Sequence, residues 1–175
     1  RDCSQVTDGA ASLFLASESF ARTYAARRGL QLEQLPRILG WGHRTAPMRF
    51  DSKMAESKNS PYVLPHTRQA IVDTFRRAGI ADVWGVQGIE THDCFTIAEL
   101  IEYEAMGLAP EGQGARVIAE GLTQMDGKLP VNPSGGLKAK GHPVGATGVS
   151  MHVLAAMQLT GTAGDFQVKD ATMAG

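Results

Sequence analysis

Cysteine is scarce in this chain: Cys3 and Cys94 are the two in 175 residues, ninety-one positions apart. They lack metal-ligand spacing, and no pair among the five histidines has zinc-site spacing, so no metal is expected. A single disulfide stays open on sequence grounds; reduced thiols in an intracellular compartment are the expectation. Excess charge of either sign is also missing. Seventeen basic against eighteen acidic residues make no field that would gather nucleic acid or an anionic membrane. The pairs Arg27-Arg28 and Arg76-Arg77 read as solvated helix ends, so no nucleic-acid partner is expected. No apolar run approaches the roughly twenty residues of a membrane span, and the first residues do not read as a signal peptide. The expectation is a cytoplasmic chain with no membrane partner. Internal repeats and low-complexity tracts are absent too.

What remains is ordinary globular material. Apolar residues make up 43%, enough for a sizeable core in one domain or a large piece of one. "AASLFLA" (10 to 16) and "RILGWG" (37 to 42) read as strands, and Ser17 and Gly29 as the caps of a helix between them. From Thr45 to Pro65 the chain is polar with no clear period, which predicts a long functional loop. Ala70, Ile71, Thr74, Phe75 and Ala78 mark an amphipathic helix stopped at Gly79. "ADVWGVQ" and "IETH" bracket a strand region, followed by a helix from Cys94 to Met106 with Gly107 as its stop. A short helix (about 114 to 121), "KLPVNP", a glycine-rich segment, a helix from Pro143 to Leu159 and the strand-like start of "DFQVKDATMAG" complete the chain. Strands alternating with helices predict an α/β layered fold.

The densest feature is "SGGLKAKGHPVGATG", Ser134 to Gly148. A residue before proline is driven into extended backbone, and proline suits the first position of a helix. "GHP" therefore predicts an imidazole displayed beside a helix start. Gly135, Gly136 and Gly141 leave room for a backbone or ligand to approach, while Gly145 and Gly148 make a bare helix face. Two readings stay open on spacing alone: this displayed imidazole, or a glycine-rich turn with an incidental histidine. A phosphate-cradling loop is the weaker rival, because neither G-x-G-x-x-G nor the Walker pattern is present.

"NPSGGLKAKGHPVGATG" resembles a motif of the thiolase family in which the histidine of "GHP" is catalytic. "HDCF", His92 to Phe95, stands where many thiolases carry "NEAF" and is similar to the sterol-carrier-protein-X type. "CSQVTDGAA", Cys3 to Ala11, resembles the family's "SGxNDGAA" stretch, in which a serine contacts pantetheine. The resemblance covers essentially the whole chain and implies a thiolase-like layered αβα fold. It assigns residues 1–28 to the end of the N-terminal domain and 29–175 to the C-terminal domain lacking its last strands. The nucleophilic cysteine of thiolases lies in the N-terminal half, so the expected partners are that missing half, a second copy in a homo-oligomer of the parent enzyme, and acyl-CoA with coenzyme A. Coenzyme A thioester enters as substrate and no separate cofactor is expected. A eukaryotic source would imply a peroxisomal location.

The implied activity is that of an acyl-CoA C-acyltransferase, cleaving or condensing 3-oxoacyl-CoA, with the 175 residues alone inactive. The alternative is a non-catalytic acyl-CoA-binding or assembly module of the same fold. In the enzyme reading His142 accepts a thiol proton, and Cys94 moves the proton at the carbon next to the thioester. Asp93 as a helix cap would leave Cys94 in the first turn, where a thiolate is favoured. His92 supports the oxyanion. Ser4 is the candidate pantetheine contact, Phe95 lines the acyl pocket or packs the helix, and Gly141 admits the ligand. An ordinary buried thiol for Cys94, a backbone-bonded strand-end histidine for His92 and a turn serine for Ser4 are the bland alternatives.

Overall fold

The computed structural model describes residues 2–175; Arg1, the first residue of the expected 1–28 segment, lies outside them. Among the described residues, β-pairing is confined to four isolated bridges, three of them parallel. The centre is a set of three parallel segments. Residues 87–90 lie in the middle, with Ile89 bridged to Val131 on one side and Gly88 to Ala174 on the other. Ile89 N–H donates to the Pro130 carbonyl (3.0 Å) and Asn132 N–H returns to Ile89 (2.7 Å). On the opposite edge Gln87 N–H donates to Met173 (2.9 Å) and Gly175 N–H to Gly88 (3.0 Å). Parallel neighbours need crossover connections, and helices supply them here.

The crossover from 87–90 to 130–132 holds two helices: α4 is Thr96–Met106 and α5 is Gly114–Ala119. The crossover to 173–175 also holds two, α6 (Gly136–Lys140) and α7 (Thr147–Leu159). Ahead of the sheet come α1 (Glu18–Arg28), α2 (Phe50–Lys58) and α3 (Pro65–Ala78). The core gathers Val83, Ile89, Tyr103, Met106, Val117, Leu129 and Val131, with Ile71 and Phe75 of α3 packed against it. Leu129 is wholly buried. Among the described residues no helix is long and apolar enough to cross a membrane.

Several sequence expectations are met. Ser17 Oγ accepts the Phe20 N–H (3.3 Å) and α1 ends at Gly29 in the left-handed region, φ 68°. α3 stops at Gly79 and α4 at Gly107, both left-handed. Others are corrected. "AASLFLA" forms no strand and leaves Phe14 96% exposed, because among the described residues it has no ladder partner. "RILGWG" is also not a strand; it runs across α3. Side chains on Gly40 and Gly42 would collide with the α3 carbonyl oxygens of Thr74 and Ala70, so these glycines let the backbone lie directly on the helix. Arg77 of α3 stacks over Trp41, 3.9 Å from the ring centre, and donates to the Trp41 carbonyl. The polar Thr45–Pro65 stretch is not all loop. Its middle folds as α2, where Lys53, Met54, Ala55 and Glu56 are good helix formers and Asp51 and Lys58 suit the helix ends.

Candidate active site

Residues 2–7 form a short ribbon that reaches both distant motifs. On one side Cys3 bridges Phe95 in antiparallel sense, with Ser4 N–H donating to Cys94 (2.9 Å) and Thr96 N–H to Asp2 (3.1 Å). On the other, Val6 bridges His142 in parallel sense. His142 N–H donates to Gln5 (3.1 Å) and the His142 carbonyl accepts from Thr7 (3.3 Å). The residue before proline is thus extended, as expected, and both its backbone groups are held. The ribbon brings the two imidazoles together: the His92 and His142 ring centres are 4.9 Å apart, edge to face at 78°.

The ring of His142 is held from behind. Its Nδ1 lies 2.7 Å from Thr147 Oγ1, and the Thr147 hydroxyl donates to the Pro143 carbonyl (3.1 Å). Thr147, 2% exposed, opens α7. That helix was expected to begin at Pro143; Gly145, at φ 94°, interrupts helical backbone, so the helix starts four residues later. Gly145 and Gly148, expected as a packing face, are exposed in this chain. Burial, and then the neighbouring His142, push His92 below the ordinary histidine range, which favours the neutral imidazole at His92 near neutrality.

Asp93 does not cap α4. The N-cap is Phe95, so Cys94 precedes the helix and does not lie in its first turn. The Asp93 carboxylate instead accepts the Leu137 N–H (2.8 Å) at the start of α6. Gly136 has φ 66°, and a side chain there would strike that carboxylate. Asp93 therefore ties the "HDCF" stretch to the glycine-rich segment. A second tie is the Glu90 carboxylate, whose side chain is 2% exposed. It accepts from Ser134 Oγ (2.7 Å), Ser134 N–H (3.2 Å) and Lys140 Nζ (3.0 Å). Two anchors thus fasten the segment ahead of His142 at both ends. Sequence reasoning missed Thr147, Glu90 and the true role of Asp93; Glu90 and Asp93 act across forty-four residues or more, which periodicity does not report.

A partly buried polar layer backs the site. Burial raises Glu102 to about 7, and Thr91 Oγ1 donates to its carboxylate. Burial also raises Glu99, which accepts from the Tyr103 hydroxyl (2.6 Å). Asn132, with φ 52°, turns its Oδ1 to the Thr91 N–H (2.8 Å).

The remaining predicted residues fall as follows. Cys94 is half-buried and Phe95 is 50% exposed. Cys3 pairs with Phe95, so side-chain alternation along the ribbon sends its thiol to the face away from Cys94, and both cysteines are free. Ser4 is 4% exposed and its hydroxyl donates to the Cys94 carbonyl (3.4 Å), which leaves the hydroxyl oxygen able to accept. Gly141, whose N–H donates to Leu137 (3.0 Å), sits against Thr7 beneath His142.

A ribbon that joins a paired-imidazole motif to a glycine-anchored "GHP" turn, set over parallel α/β layers, defines a thiolase-like domain. Residues 50–175 match the family "Thiolase C-terminal domain-like", and the chain belongs to the thiolase family. It is 38% identical over 172 residues to "Sterol carrier protein 2" of Homo sapiens, covering 98% of this chain and 30% of that protein. It is 34% identical over 172 residues to "Acetyl-CoA acetyltransferase" of Methanothermobacter thermautotrophicus, covering 97% of this chain and 41% of that protein. The chain therefore spans well under half the length of these relatives. Among solved structures, the "Ltp2-ChsH2(DUF35) aldolase" superposes with a TM-score of 0.61 at 22% identity, over 78% of this chain and 34% of that one. That likeness concerns the fold.

Proposed function

We propose that this chain supplies the base and the proton shuttle of an acyl-CoA C-acyltransferase acting on 3-oxoacyl-CoA. The observation that carries the reading is the 4.9 Å meeting of His92 and His142, motifs fifty residues apart, held by the 2–7 ribbon beside Cys94. In this reading a cysteine from the N-terminal thiolase half attacks the thioester carbonyl. His142 takes the thiol proton, and the acyl group passes to sulfur as coenzyme A leaves as thiol. His92, neutral because it is partly desolvated, donates an N–H to the thioester oxygen as negative charge develops there. Cys94 then removes or returns the proton at the α-carbon during carbon–carbon bond formation or cleavage. Residues 1–28 are assigned to the end of the cysteine-bearing half, and the exposed Val6, Phe14 and Leu15 to its contact with the rest of that half. The relative named "Acetyl-CoA acetyltransferase" supports a coenzyme A thioester as substrate.

The test uses the full-length protein with acetyl-CoA and mass spectrometry of the acyl-enzyme. His142→Ala should slow acylation by about 10²–10⁴-fold, the usual weight of general acid–base help. Cys94→Ala should form the adduct and stall before carbon–carbon bond formation. Equal acetylation of both variants, with bond formation unimpaired in Cys94→Ala, would overturn the assignment.

A further inference from the structure

We infer that Thr147 is the positioning residue that holds His142 in the tautomer a base requires; this rests on the reading of His142 as base. A neutral imidazole carries one N–H, and only the bare nitrogen can accept a proton. Thr147 Oγ1 makes two contacts, 2.7 Å to His142 Nδ1 and 3.1 Å to the Pro143 carbonyl. A carbonyl oxygen only accepts, so where both contacts are hydrogen bonds the single hydroxyl hydrogen goes to Pro143. The contact with Nδ1 is then a hydrogen bond only if Nδ1–H donates to Thr147. With Thr147 2% exposed, no bulk water competes for the hydroxyl. The proton on Nδ1 leaves Nε2 bare to receive the thiol proton. Once Nε2 is protonated, Nδ1–H keeps its acceptor, so the imidazolium forms without any group turning.

The geometry couples this to the fold. Pro143 accepts the Ala146 (2.9 Å) and Thr147 (3.1 Å) N–H groups as well, so the turn that starts α7 also sets the direction of the hydroxyl. The helix begins at Thr147 and not at Pro143 because that turn intervenes. Reading "GHP" alone gives the histidine; the residue five positions on gives its protonation pattern.

The experiment compares Thr147→Val, which keeps the branched shape without the hydroxyl, with Thr147→Ser and His142→Ala in the full-length protein. Long-range ¹H–¹⁵N correlation of histidine-labelled protein should show His142 protonated at Nδ1 in the wild type and losing that preference in Thr147→Val. Acylation by saturating acetyl-CoA should fall about 10–100-fold in Thr147→Val, the scale on which metal-ligating histidines respond when the second nitrogen loses its partner. KM and thermal midpoint should stay near wild type, and Thr147→Ser should restore both tautomer and rate. A wild-type His142 protonated at Nε2, or a Thr147→Val protein acylating at the wild-type rate while His142→Ala is slow, overturns the role of Thr147 alone. His142→Ala acylating at the wild-type rate removes the base reading and this inference with it.

Discussion

Ile89 and Phe14 are both large apolar residues in stretches that read as strands, and they meet opposite environments. Ile89 is 9% exposed, with bridged neighbours on both edges of its segment. Phe14 is 96% exposed in a stretch with no bridge among the described residues. Apolar character is similar; available partners differ. A strand needs a ladder to satisfy its backbone, and the 87–90 segment finds one in 130–132 and another in 173–175, each delivered by a helical crossover. The same contrast orders the polar groups. Buried carboxylates such as Glu90 and Glu104 occur around the packed segments, where each has donors, and no residue of the 10–16 stretch is buried.

The comparison breaks first at Leu129, the wholly buried member of the core. Leu129→Ala should cost about 2–5 kcal/mol, from lost burial and the cavity left behind. A chemical-denaturation change below about 1 kcal/mol would mean that the packed region is not the core of this chain.

Glu102 tests whether water is excluded there. Its folded value is raised from 4.5 to about 7, so the folded state binds this proton more tightly than the unfolded chain. Below about pH 4.5 both states are protonated and burial carries no charge penalty; as pH rises through about 7 that advantage is lost. Glu102→Gln should therefore stabilise the protein above neutrality, by on the order of 3 kcal/mol at most, and do little near pH 4. Denaturation midpoints across this range check it, and equal effects at both ends would place Glu102 in contact with solvent.

Gly136→Ala sharpens the comparison at the anchor. The left-handed backbone and the clash with Asp93 should cost about 1–3 kcal/mol. The Leu137 amide should also lose hydrogen-exchange protection. Protection unchanged in the variant would show that Asp93 does not hold the segment. Smallest is Phe14→Ser in the 175-residue chain by itself, expected to shift stability by less than about 0.5 kcal/mol, as exposed substitutions usually do. A loss comparable with that of Leu129→Ala would erase the distinction between the two regions.

Local signals were legible where one residue's chemistry decides the backbone. Ser17, Gly29, Gly79 and Gly107 mark their helix ends in the sequence and in the fold. The pre-proline rule placed His142 in extended chain, and the motifs "HDCF", "GHP" and "TDGAA" carried the family. Boundaries set by competition were not legible. α4 starts at Thr96 because Asp93 is engaged with Leu137 across forty-four residues, and α7 starts at Thr147 because Gly145 takes a left-handed φ.

By itself the sequence determined the α/β class, most helix stops and the extended backbone at His142, since those follow from side-chain chemistry and short-range sterics. Only the tertiary structure decided that residues 2–7 join the two motifs, that Thr147 stands behind His142, and that Asp93 and Glu90 fasten the glycine-rich segment. The Thr147 contact depends on the turn that Gly145 makes ahead of the helix; the others join residues forty-four or more positions apart, and a hydrogen bond between distant segments exists only after the layers between them have packed.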